Sequence, residues 1–249
     1  MGENDTKILA DDQLEHFNTE LMIPKYWDVF NENLVQHIRT DKYFEVLDIG
    51  GGNGAFADAL IRRFPMLVVT VLDNSEYLLS HNKPHPRKKL IYGSATELDK
   101  VLGERSYDLI TFNWVLHHLV GETRRQSLDI VRNTLADARL HLRPEGVISV
   151  VENLYPGLIF DRYPGAFIFK LTNIKNPAIA GVVRRVGFNT AGVGVDFMSP
   201  KLIRELIDEA GLYISTEGLY DRWGYNPLIR LGLLTKPMRM ENLWLRAAY

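Results

Sequence analysis

A chain of 249 residues, 46% apolar and 24% charged, is long enough for one large α/β domain or for such a domain with an appended cap. Its formal charge of −2 argues against a general nucleic-acid binder. The absence of cysteine excludes disulfides, thiolate metal sites and cysteine nucleophiles. The polar, acidic start (Met1 to Asp5) is unlike a signal peptide, and no apolar run approaches the roughly 18 residues of a membrane span. The expected compartment is the cytoplasm.

Residues 1–40 read as two helices. Leu14, Phe17, Leu21 and Met22 share one face, Tyr26, Trp27, Phe30, Leu34 and Ile38 another, and Pro24 separates them. Two roles are open to this segment: packing on a sheet, or an N-terminal helical lid over a site. A first strand is expected at 44–49, ending in Val46-Leu47-Asp48-Ile49. The run Gly50-Gly51-Gly52-Asn53-Gly54 follows, and then a helical pattern with Ala55, Phe56, Ala59 and Leu60. Strand, glycine turn and helix start in that order make a cradle for a nucleoside-containing ligand. Glycine accepts positive φ and lets a ligand approach bare backbone, and the N–H groups of the helix start face the same gap. A second strand, 67–72, delivers Asp73, where an acid can accept from ribose hydroxyls.

The stretch His81 to Lys89 is basic and broken by prolines, a solvated loop or a phosphate contact. A short third strand leads to Gly93-Ser94-Ala95. The fourth, 107–112, leads to Asn113-Trp114-Val115-Leu116-His117-His118, and a long helix spans about 122–140. Arg143-Pro144-Glu145-Gly146 reads as a turn before a fifth strand at 147–152. Strands alternating with helices predict a mostly parallel sheet with its ligand at the carboxyl ends of the strands.

The βα rhythm stops over 153–196. Phe160, Phe167, Ile168 and Phe169 are interspersed there with Asp161, Arg162, Tyr163 and Lys170, which suggests an insertion of short helices. It can serve as extra core, a substrate cap or the surface of a homodimer. Ser199-Pro200 starts a further helix that Gly211 stops. Strands at about 212–217 and 242–248 are joined by a long connection carrying Arg222, Trp223, Arg230, Lys236 and Arg239.

Five marks stand in order: Asp48-x-Gly50-x-Gly52-x-Gly54; Asp73; Gly93-Ser94-Ala95; Tyr107-Asp108-Leu109-Ile110 through His118; and Leu142-Arg143-Pro144-x-Gly146. Together they resemble the class I S-adenosylmethionine-dependent methyltransferases, over about residues 41–152, with the terminal helix and strands suiting the same fold. The resemblance implies a Rossmann-like α/β fold: a seven-stranded, mostly parallel sheet with helices on both faces. It divides the chain into a lid (1–40), a cofactor-binding domain (41–152 and 197–249) and a cap (153–196). S-adenosyl-L-methionine is the implied cofactor. Gly50, Gly51, Gly52 and Gly54 would line its methionine and ribose portion, and Asp48 would hold the turn and the amino group. Asp73 would take the ribose hydroxyls, Asn74 would lie against the adenine, and Asn113 would sit near the methionine moiety. Ser94 and Ala95 fall where the family often has Asp-Ala beside the adenine amino group, so a weaker hydroxyl acceptor replaces an acid.

His117 and His118 follow the fourth strand, and histidine is the residue type suited to proton transfer near neutral pH, which makes them the candidate bases. Glu152, Asn153, Tyr155, Tyr163 and Asp196 are weaker ones. No metal site is expected, since adjacent histidines rarely share an ion. The expected acceptor is a small or medium organic molecule, with oxygen the leading receiving atom. Two alternatives stand beside this: a catalytically inactive partner subunit, and a nicotinamide-dependent dehydrogenase, whose fingerprint Gly50-x-Gly52-x-x-Ala55 also meets.

Overall fold

A computed structural model of the chain describes residues 24–38, 43–174, 194–223 and 232–248, with single positions at 176, 181, 192 and 230. Leu14, Phe17, Leu21, Met22, Arg184, Arg185 and Phe188 lie outside the described residues, as do the side chains of Tyr26, Arg222 and Trp223.

The strands are β1 (Phe44–Ile49), β2 (Leu67–Asp73), β3 (Lys88–Tyr92), β4 (Tyr107–Asn113), β5 (Leu142–Leu154), β6 (Leu212–Trp223) and β7 (Met238–Ala247). They form one sheet in the order β3-β2-β1-β4-β5-β7-β6. The first five pair in parallel, and β7 lies antiparallel between β5 and β6. This departs from the order 3-2-1-4-5-6 of the dinucleotide-binding sheet, which removes the fold-level support for a dehydrogenase.

Near-continuous apolar runs mark strands covered on both faces. Val46, Val69, Val71, Leu109 and Val147 pack with Phe30 and Leu34 of helix α1 (Pro24–Val35) and with Phe56, Leu60 and Ile61 of α2 (Ala55–Arg63). The alternate residues Leu47, Ile49, Leu72, Ile110, Phe112 and Ile148 face the opposite side. The remaining helices are α3 (Glu76–Ser80), α4 (Leu98–Leu102), α5 (Arg124–Leu140), α6 (Tyr163–Thr172) and α7 (Pro200–Glu209). Of these, α4, α5 and α7 cover the second face through Leu98, Leu135, Ile203 and Ile207. Within the N-terminal segment, α1 is a core helix: Phe30 lies 5.3 Å from the Phe56 ring and 5.4 Å from that of Trp244.

Local chemistry accounts for the helix starts. Thr123 and Gln126 form a capping box on α5, and the Ser199 hydroxyl accepts from Leu202 N at 3.0 Å before α7. Two expected boundaries are corrected. Residues Arg143 to Gly146 are not a turn outside β5. They lie within it, at an irregularity between Tyr107 and Leu109 of β4, with Glu145 at φ 66. The connection between the last strands is also shorter, because β6 continues to Trp223 and β7 starts at Met238.

The basic loop after α3 is structural. The Arg87 guanidinium donates to the carbonyls of Ile61, Phe64 and Leu67 at 2.9–3.0 Å, closing the end of α2. Lys88 pairs with Asp58 at 2.7 Å. Beyond β5, Ile168 of α6 is buried in a small third cluster with Tyr155, Val195, Leu233 and Met238. No helix among the described residues is long and apolar enough to cross a membrane.

Candidate active site

The order of the strands reverses between β1 and β4, which opens a crevice at their carboxyl ends. The glycine turn fills the β1 side of it. Gly50, Gly52 and Gly54 all have positive φ, at 67°, 51° and 73°, which side chains adopt only with strain. The N–H of Gly50 donates to the Leu72 carbonyl at 2.7 Å, and that of Gly54 to the Gly51 carbonyl at 2.9 Å. Asn82, which carried no sequence signal, donates its amide to the Gly52 carbonyl at 2.8 Å.

Gly51 is needed for space. A Cβ there would overlap Asp48 Oδ2 and stand 2.9 Å from Val71 Cγ1. That close fit puts the Asp48 carboxyl directly beneath the turn. Asp48 is buried; its Oδ1 accepts from the Thr111 hydroxyl at 2.8 Å and from the Asn113 amide at 3.4 Å. Its Oδ2 has no partner. Burial drives the carboxyl up to about 7, and the charge of Asp73 adds to this, while the Thr111 and Asn113 hydrogen bonds oppose it. An unsatisfied buried carboxyl oxygen under a glycine turn fits the ammonium group of an amino-acid moiety.

Asp73 is buried at the tip of β2. Its Oδ2 accepts from Gly52 N at 2.9 Å and its Oδ1 from Ser75 N at 2.8 Å. It therefore braces the turn, and each oxygen keeps lone-pair capacity for a ligand hydroxyl. Burial raises its pKa against these backbone donors. The side chain of neighbouring Asn74 is half-buried.

Ser94 has a local structural role. Its hydroxyl caps a short 3₁₀ turn, accepting from Thr96 N at 3.2 Å and sharing a hydrogen bond with the Thr96 hydroxyl at 2.9 Å. Ala95 packs against the core.

The two histidines take different environments in the 3₁₀ turn Leu116–His118. The His117 ring is buried, and its Nδ1 lies 2.7 Å from Glu152 Oε2. A carboxylate only accepts, so Nδ1 carries the proton and Nε2 is the ring's basic nitrogen. Glu152 Oε1 also takes the N–H of Leu116 at 2.8 Å, which fixes the turn to the tip of β5. Phe197 stacks on the His117 ring at 4.6 Å and 23°, a contact absent from the sequence reading. His118 lies 4.2 Å from His117 between ring centroids. Burial first and then the His117 charge push its pKa well below the ordinary histidine value, so it is neutral at pH 7.

Of the weaker candidates, Glu152 joins His117 directly. Asp196 donates its backbone N–H to the His117 carbonyl at 3.0 Å and pairs with Arg124 at 3.1 Å. Asn153 lies 3.4 Å from Trp114 Nε1, Tyr155 packs on Phe197, and Tyr163 stacks on Phe167. Among the described residues no group of three or more His, Asp or Glu side chains could hold a metal ion.

A crevice at a switch point, a glycine turn over an acid and a second acid at the tip of β2 stand together in one α/β domain, at the place where open α/β sheets bind ligands. Residues 47–148 match the family model of a methyltransferase domain. No curated protein matches the chain in sequence. Among solved structures, it is similar to the mitomycin 7-O-methyltransferase at 19% identity and TM-score 0.52, covering 96% of this chain and 61% of that one. A methyltransferase of calicheamicin biosynthesis in its SAH-bound form is similar at 15% identity and TM-score 0.52, covering 96% and 61%. A putative sarcosine dimethylglycine methyltransferase from Galdieria sulphuraria is similar at 13% identity and TM-score 0.57, covering 98% and 92%. The chain thus spans about three fifths of the length of the first two.

Proposed function

We propose that the protein transfers the methyl group of S-adenosylmethionine to a hydroxyl of a small or medium organic acceptor, with His117 as the base. One juxtaposition carries this reading. A glycine turn above an unsatisfied Asp48 oxygen stands at the tip of β1, and a carboxylate-oriented imidazole bridges the tips of neighbouring β4 and β5.

When bound, the cofactor supplies a methyl group on a positive sulfur whose leaving group is a neutral thioether. The protein's work is then to orient the acceptor, exclude water and take one proton. Asp48 holds the ammonium end, Asp73 the ribose hydroxyls, and Gly50, Gly51 and Gly52 leave the space between them. Asn113, already turned toward Asp48, borders the methionine end. Asn74 and Ala95 flank the adenine side, with Ser94 contributing through its turn more than through its hydroxyl. His117 Nε2 receives the proton that the acceptor hydroxyl gives up as its oxygen bonds to the methyl carbon. Glu152 keeps the Nδ1 proton in place and stabilises the imidazolium. Neutral His118 serves as packing beside it.

An oriented base is most useful to an acceptor whose proton is not lost unaided, which favours oxygen over an amine. The mitomycin enzyme, named for an oxygen acceptor, is in keeping with this. In the same reading, 41–152 and 197–249 act as the cofactor domain and 153–196 as the acceptor cap, while α1 of the N-terminal segment belongs to the core.

The test is transfer from S-adenosylmethionine carrying a labelled methyl group to a panel of phenols, alcohols and amines. Label is expected in a phenol or alcohol, and His117→Ala should lower turnover at least about tenfold. Saturable cofactor binding with no transfer to any acceptor would favour a partner subunit instead.

A further inference from the structure

Two carboxyl groups share the crevice, and among the described residues neither Asp48 nor Asp73 has a salt-bridge partner. From β4, Asp48 meets the Thr111 hydroxyl and the Asn113 amide; on β2 its register partner is Val71, and it feels the charge of Asp73. Asp73 itself is held by the backbone N–H groups of Gly52, Asn74 and Ser75. Every one of these hydrogen-bond donors is uncharged. Asp48 Oδ2 has no donor at all. Two like charges in a buried site do not both ionise without a compensating cation.

We propose that the cofactor's amino-acid end binds with release of a proton from Asp48: the ligand-free protein keeps this carboxyl neutral, and the arriving ammonium group converts it to the carboxylate. This rests on the cofactor reading above. The balance is simple. A neutral carboxyl and a protonated amine become a carboxylate–ammonium pair, and one proton leaves to solvent. The position of Asp48 near pH 7 places the exchange in the physiological range. Affinity then climbs as pH rises toward about 7, by up to about tenfold per pH unit on the acid side. It falls again at alkaline pH, where the ligand's α-amino group loses its proton. The pocket is thus tuned to neutral pH by one buried group.

The experiment is calorimetric titration of the protein with S-adenosylhomocysteine, at about pH 6 and about pH 7, in buffers of different ionisation enthalpy. The dependence of the measured heat on buffer gives the protons released. Close to one is expected at about pH 6 and about half at about pH 7, from a group positioned near 7. The same titration with methylthioadenosine, which lacks the amino-acid portion, should release none. Asp48→Asn should bind S-adenosylhomocysteine more weakly and without proton release. Saturable binding whose heat is the same in every buffer at about pH 6 overturns the inference and leaves the cofactor reading intact. Equal release with methylthioadenosine also overturns it, by moving the proton to Asp73. No saturable binding of either ligand sinks the cofactor reading together with the inference. The wild-type series decides the matter even if Asp48→Asn does not fold.

Discussion

The Glu152 carboxylate holds His117 from two directions: Oε2 accepts from the imidazole Nδ1 at 2.7 Å, while Oε1 takes the Leu116 N–H at 2.8 Å and the His117 N–H at 3.4 Å. One buried side chain therefore sets the ring's tautomer and the shape of the turn that carries it. Glu152→Ala strands these donors and should lower unfolding free energy by about 3 kcal/mol, read from urea denaturation. Glu152→Gln separates the two roles. Its carbonyl still serves the backbone, but its amide is a donor and forces the imidazole proton to Nε2. Imidazole 15N shifts should report an Nδ1–H ring in the wild type and an Nε2–H ring in the variant. An unchanged tautomer would contradict the role given to Glu152.

Gly51 and Gly52 should fail differently when replaced by alanine. At Gly51 the new Cβ overlaps Asp48 Oδ2 and crowds Val71, so the fold should lose about 1–3 kcal/mol, as for an overpacked core site. At Gly52 the nearest side-chain atom is Leu78 Cδ1 at 3.4 Å, and the main cost is a φ of 51°, about 1–2 kcal/mol. That Cβ projects into the space assigned to the ligand. Gly52→Ala should therefore lose cofactor affinity out of proportion to its stability, whereas the two losses should track each other in Gly51→Ala.

Asp48 should weaken the ligand-free fold at the pH where it is useful. Its carboxyl is raised in the folded protein to about 7, against about 3.9 in an unfolded chain. The folded state retains a proton that the unfolded state has lost, so the stabilisation is complete below about pH 4 and disappears as pH rises through about 7. A shift of this size is on the order of 4 kcal/mol. Asp48→Asn mimics the neutral form. Without ligand it should unfold at a higher temperature than the wild type at about pH 8, by a stability margin that shrinks to about 1.5 kcal/mol at about pH 5 and closes below about pH 4. A variant less stable than the wild type at about pH 8 would contradict the burial argument.

Ser94 should matter to its turn more than to the ligand. Ser94→Ala removes the acceptor for Thr96 N, at a cost of about 0.5–1 kcal/mol, and should leave cofactor affinity within about twofold. Ser94→Asp keeps a cap and supplies a charged acceptor, so the same titration should show tighter binding by several-fold. Weaker binding in Ser94→Asp would remove this position from the adenine side.

Much of this arrangement is legible in the chain itself, for a physical reason. Strands buried on both faces must be continuously apolar, and the runs in β1, β2 and β4 are. The turn demands glycine, and Ser199-Pro200 with Gly211 brackets α7 through caps that depend on neighbouring residues alone. Contacts made across the fold leave no local trace. Thr111 meets Asp48 across 63 residues and Asn82 meets Gly52 across 30, and neither residue type announces its partner. The ends of β5 and β6 were hidden likewise. Pro144, Gly146 and Gly218 have turn-like composition, yet Pro144 and Gly146 fall inside β5 at its irregularity against β4, and Gly218 pairs with Asn242 of β7. The choice between His117 and His118 also required the fold, because it depends on which ring meets Glu152.

The Gly50–Gly54 turn, Asp48 and Asp73 are proposed to bind S-adenosylmethionine. Calorimetric titration with S-adenosylmethionine and with the reduced nicotinamide dinucleotide tests this most directly. One saturable site for S-adenosylmethionine is expected at sub-millimolar concentration, weakened by about 1.5–3 kcal/mol in Asp73→Ala, with no saturable site for the dinucleotide. Saturable binding of the dinucleotide with none of S-adenosylmethionine would contradict the proposal.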